Sequence, residues 1–108
     1  MIKQIIADMV ASTEAARLLV YRAAWLLDQG VPARHEVTIA KLIASETALQ
    51  AAIGAARVHG AYGYSSEFPA ARLYQDALMP VTGEGTSNIQ RIIIANHVFG
   101  IGRHRERE

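Results

Sequence analysis

Apolar residues in the first part of the chain recur at three- and four-residue steps: Ile2, Ile5, Ile6, Met9, Ala16, Leu19, Val20, Ala23, Ala24 and Leu27. Such steps return to one side of an α-helix but fall on alternating faces of a strand, so they commit the segment to helix. The run stops at Gly30 with Pro32 beyond it, a helix terminator, and predicts a long first helix over about 2–29. A second stripe, Val37, Ala40, Ile43, Ala44, Thr47, Ala48, Ala51, Ile53 and Ala55, predicts another helix over about 34–58. Its alanines allow a neighbouring helix to come close, and it should pack antiparallel to the first.

Gly60 and Gly63, with Tyr62 and Tyr64 between and beside them, then break the pattern. A short helix is predicted over about 69–78, with Pro69 in its first turn and Arg72 and Asp76 spaced to face each other. Residues 79–85 read as loop. Ser87 and Gln90 fit a capping box, and Ile89, Ile92, Ile93, Val98 and Ile101 carry a last helix over about 87–99. The expected fold is all-α: an up-and-down helical bundle over 1–102 with a solvated charged tail at 103–108.

A chain of 108 residues is one domain's worth. A formal charge of +1 gives no electrostatic footprint for nucleic acid or an anionic membrane. With no cysteine there is no disulfide framework and no thiolate zinc site. Lys3 and Asp8 interrupt the first apolar run, unlike a signal peptide or a membrane span, and a cytoplasmic protein is expected. The chain is nevertheless 51% hydrophobic and only 19% charged, more apolar than a core of this size can easily hide. Surplus apolar surface marks a partner interface, and self-association is expected.

The chemistry-bearing feature is Gly83-Glu84-Gly85 followed by Thr86, Ser87 and Asn88. One carboxylate stands between two glycines at a hydroxyl-rich helix start, with little to bury it except a ligand. That is a mounting suited to a general base. His35, His59, His97 and His104 have no metal-ligand spacing with carboxylates, so no metal is expected. Gly60-Ala61-Tyr62-Gly63 follows a helix and not a strand, unlike a nucleotide-binding glycine fingerprint.

Several motifs occur in a fixed order: Ile5-Ile6-Ala7-Asp8-Met9, Tyr21-Arg22-Ala23-Ala24-Trp25, His59-Gly60-Ala61-Tyr62-Gly63-Tyr64, Arg72-Leu73-Tyr74-Gln75-Asp76 and Glu84-Gly85-Thr86-Ser87-Asn88-Ile89-Gln90-Arg91. Through them the chain resembles the C-terminal helical domain of the acyl-CoA dehydrogenase family over nearly its whole length. The resemblance implies part of a flavin-dependent α,β-dehydrogenation of an acyl thioester, borne on CoA or a carrier protein. Glu84 matches the base that removes the α-proton. Arg57, Gly60 and Ala61 match a turn that touches the adenosine end of a neighbouring subunit's FAD, although a Gln usually stands where this chain has Arg57 and a second Gly where it has Ala61. Thr86, Ser87 and Asn88 match further cofactor contacts. Gly83 and Gly85 flank the substrate, and Gly83 replaces a Tyr common in relatives, which would leave room for a bulkier acyl group. The family's N-terminal helical and middle β-domains have no counterpart in this chain, so alone it should bind free FAD weakly or not at all. Relatives pair the corresponding helices in a dimer of dimers, implying a homodimer or homotetramer. The other reading is a non-catalytic helical oligomerisation module, a truncated piece or a stand-alone remnant.

Overall fold

The periodic first segment forms α1 (Ile2–Asp28), and the second stripe forms α2 (Arg34–His59). A computed structural model describes residues 1–83 and 85–101 of the chain; after α2 come a 3-10 turn (Gly60–Gly63), α3 (Ala70–Thr82) and α4 (Ser87–Phe99). Among the described residues there is no strand. The expectation for the tail at 103–108 lies outside them.

α1 closes as its sequence predicts. The Gly30 and Val31 N–H groups donate to Leu27 O and Leu26 O, each at 3.0 Å, satisfying carbonyls that the last turn leaves open. The chain then reverses, and α2 runs back so that its residue Gly54 seats the side chains of Ile5 and Met9 near the start of α1. The two helices are therefore antiparallel. α2 is the central element, packed by α1, α3 and α4.

Small side chains fill the contacts. The buried apolar residues are Ala16, Ala23, Ala33, Ala40, Ala52 and Ala70, and among the described residues no large side chain is fully buried. Alanine at a crossing brings helix axes close but hides little apolar area. Many large side chains point outward: Leu18, Tyr21 and Trp25 on α1 and Val98 and Phe99 on α4 are 60% exposed or more. The apolar surplus read from composition thus lies on the surface of an elongated molecule, 54 × 23 × 23 Å. No described helix is long and apolar enough to cross a membrane.

Between α2 and α3 the backbone itself is the packing surface. Gly63 is buried, and a Cβ there would lie 2.2 Å from the Ala56 carbonyl oxygen, so only glycine lets the turn lie on α2. Beside it, Tyr62 and Phe68 have their ring centroids 5.0 Å apart.

Three local expectations need correction. α3 does not stop near residue 78 but continues to Thr82, with Pro80 inside it. Proline removes one helix bond, yet the ladder is picked up again by Gly83 N–H donating to Met79 O at 2.6 Å, so a proline this near the end is tolerated. Arg72 and Asp76 are both exposed and form no ion pair; among the described residues the one pair is Glu14 with Arg17. In open solvent such a pair gains little over the side-chain entropy it costs. The cap of α4 is Thr86, one residue before the expected Ser87: its Oγ1 accepts from the Ile89 N–H at 3.2 Å. Ser87 is the first helical residue, so no capping box with Gln90 forms.

Candidate functional site

The loop between α3 and α4 carries the chemistry-bearing residues. Glu84 lies outside the described residues, while both of its neighbours are placed. Gly83 ends α3 in an extended conformation, φ −82° and ψ 146°. Gly85 has φ +105°, a backbone region that a side chain resists, and a Cβ there would meet Gln90 Nε2 at 2.5 Å. The sequence Gly-Glu-Gly thus leaves the chain bare where it turns into α4.

The start of α4 supplies donors. Thr86 holds the cap, leaving Ser87 and Asn88 in the first turn, where helix N–H groups face outward and the helix dipole favours negative charge. Ser87 is 8% exposed, and its Oγ has no hydrogen-bond partner among the described residues. A buried hydroxyl left unpaired costs free energy, and it suits a ligand atom that would pair with it. Asn88 is exposed, its Oδ1 accepting a long 3.5 Å contact from Arg91.

The second expected group lies elsewhere. Arg57, Gly60 and Ala61 are all exposed at the C-terminal end of α2, and Gly60 caps that helix. Lys41, early in α2, bonds to the carbonyl of Gly85, so the α3–α4 loop sits beside the first half of α2. Residue 57 is 16 positions further on, roughly 24 Å along the helix axis at about 1.5 Å per residue. The two groups of expected cofactor residues therefore do not meet within one chain. Arg57 instead edges a groove of about 190 Å³ between the start of α1 and the end of α2, which Ile5, Asp8, Met9 and Ser12 line from the other side.

Two features escaped the sequence reading. His35 and His97 stack with ring centroids 4.0 Å apart and planes 16° from parallel, joining α2 to α4. No spacing rule links residues on separate helices. Lys41 is the other, because its partners are main-chain carbonyls, which carry no residue signature.

Known proteins share much of this sequence and this fold. The profile of the acyl-CoA dehydrogenase C-terminal domain matches residues 1–99. Cyclohexane-1-carbonyl-CoA dehydrogenase of Geobacter metallireducens is 44% identical over 99 residues, 92% of this chain and 26% of that protein. An acyl-CoA dehydrogenase of Bacillus subtilis is 43% identical over 88% of this chain and 25% of its own length. The structure of butyryl-CoA dehydrogenase from Megasphaera elsdenii superposes with a TM-score of 0.87 at 37% identity, covering 90% of this chain and 25% of that one. The chain spans about a quarter of the length of the relatives it matches.

Proposed function

Since the chain belongs to the acyl-CoA dehydrogenase family through its C-terminal helical domain, we propose that it supplies the catalytic base, one wall of the flavin site and the assembly surface of an enzyme that desaturates acyl thioesters. The observation that carries this reading is the α3–α4 junction. A carboxylate stands in sequence between Gly83 and Gly85, the second at φ +105°, directly before a helix start with a buried hydroxyl that no other described residue pairs.

Glu84 takes the α-proton of the acyl group. A carboxylate is a weak base in water, with a reference pKa of about 4.3. An apolar acyl chain closing over it excludes water and disfavours the charged form, raising its basicity toward neutrality. The α-proton is acidified when the thioester oxygen accepts hydrogen bonds, to which the Glu84 N–H contributes. Gly83 leaves open the space where relatives carry Tyr, which suits a bulky or branched acyl group. FAD, when bound, supplies the acceptor for the β-hydrogen and its electron pair. Ser87 Oγ and the first-turn amides of α4 would hold polar atoms of that cofactor, with Thr86 and Asn88 beside them. Arg57, Gly60 and Ala61 would serve the adenosine end of a second FAD, in a neighbouring subunit. Their separation from the loop supports that division, and it makes a homodimer or homotetramer part of the proposal.

The test is a hybrid enzyme in which this chain replaces the corresponding segment of the Bacillus subtilis relative. Glu84→Gln should lower kcat by a factor of about 10²–10⁴, the usual worth of a general base, with flavin content unchanged. A Glu84→Gln hybrid as active as its parent would reject Glu84 as the base.

A further inference from the structure

Lys41 is a half-buried cation on α2 whose ammonium reaches across to another part of the fold. Its Nζ donates to Pro80 O at 2.5 Å and to Gly85 O at 2.7 Å, residues 39 and 44 positions further along the chain. The two acceptors bracket the end of α3 and the turn into α4. We propose that Lys41 is a positioning residue that fixes the α3–α4 loop from both sides, holding the described backbone that flanks Glu84 in sequence. The catalytic consequence rests on the reading of Glu84 as base.

The chemistry of the contact explains why a lysine is needed. Pro80 O belongs to the last turn of α3, where carbonyls have no partner further along the helix and the helix dipole favours a positive charge. α3 has no basic residue in its own last turn. Lys41 provides from a neighbouring helix the capping cation that α3 lacks. An ammonium carries three donors on a flexible stem, so one group can serve two carbonyls that face it from different directions. Both bonds are charge-assisted, which makes them stronger than neutral ones, and the one to Gly85 is also partly shielded from water. Gly85 has no side chain to lock its backbone, and at φ +105° it depends on tertiary contacts to hold its conformation.

The chain contains two lysines, Lys3 and Lys41, and Lys3 is exposed in the first turn of α1. Amine-reactive labelling of the unmodified protein therefore carries its own control. Lys41 should react at least about tenfold more slowly than Lys3, since its ammonium must first leave both carbonyls; equal rates would overturn the proposal. Lys41→Met keeps the stem and removes every donor. Hydrogen exchange at Val81, Thr82 and Gly83 should then accelerate by about tenfold, while amides at the α1–α2 contact keep their protection. Lys41→Arg, which keeps charge and donors, should restore most of it. Uniform acceleration across all helices, or no local change, would overturn the proposal.

The hybrid enzyme separates the two readings. Lys41→Met should lower kcat by about tenfold or more with KM and flavin content unchanged, because a misplaced base loses its alignment, and Lys41→Arg should recover it. An unaffected kcat in a hybrid that Glu84→Gln inactivates would overturn the positioning role and leave the base assignment standing. Activity surviving Glu84→Gln would reject the base instead, with the labelling and exchange results still deciding whether Lys41 holds the loop.

Discussion

Gly85 shows how much a single backbone angle can decide. Its φ of +105° and the 2.5 Å approach that a Cβ would make to Gln90 Nε2 mean that any side chain must strain the turn and displace a buried amide. Gly85→Ala should destabilise the chain by about 1–2 kcal/mol, the usual cost of forcing a residue into this region; urea unfolding with an unchanged midpoint would contradict that. The glycine itself was legible, because a carboxylate set between two glycines beside a run of hydroxyls is a local pattern. The neighbouring hydroxyls were harder to sort. Thr86 and Ser87 are both good caps, and which one stands outside the helix is decided by how the loop enters it. Lys41 was illegible for a stronger reason: it bonds main-chain carbonyls 39 and 44 residues away, and every residue has a carbonyl.

At the scale of the element, α1, α2 and α4 follow their sequence closely because each has a clear periodic stripe and a recognisable end. α3 does not, since Pro80 reads as a terminator yet sits within the helix, where the Gly83 N–H and the Lys41 ammonium both supply bonds to its last turn. Local rules cannot anticipate a cap delivered from another helix. The cap of α4 is an exposed joint. Thr86→Ala removes the acceptor for the Ile89 N–H and should cost about 1 kcal/mol, measurable as a lowered urea midpoint, whereas Thr86→Ser keeps the acceptor and should leave the midpoint nearly unchanged. Equal losses for the two variants would place the stabilisation in the threonine methyl and not in the cap.

On the scale of the whole molecule, the all-α bundle was readable from periodicity, but the placement of its sites was not. Sequence order alone does not say that residues 57–61 and the α3–α4 loop lie at different stations along α2. That separation, with a core built of alanines and large apolar side chains left outside, suits a chain that completes itself against others. Sedimentation equilibrium at micromolar concentration should therefore show a dimer or tetramer, and a clean 11.8 kDa monomer would contradict it. Isotope exchange isolates the removal of an α-proton by Glu84 from every later step. The hybrid enzyme should be incubated in D₂O with an acyl-CoA that has α-hydrogens but no transferable β-hydrogen, and followed by NMR. Deuterium should enter the α-carbon with the parent hybrid, and exchange should slow by about 10²-fold or more with Glu84→Gln; equal exchange by the two proteins would mean that Glu84 is not the base.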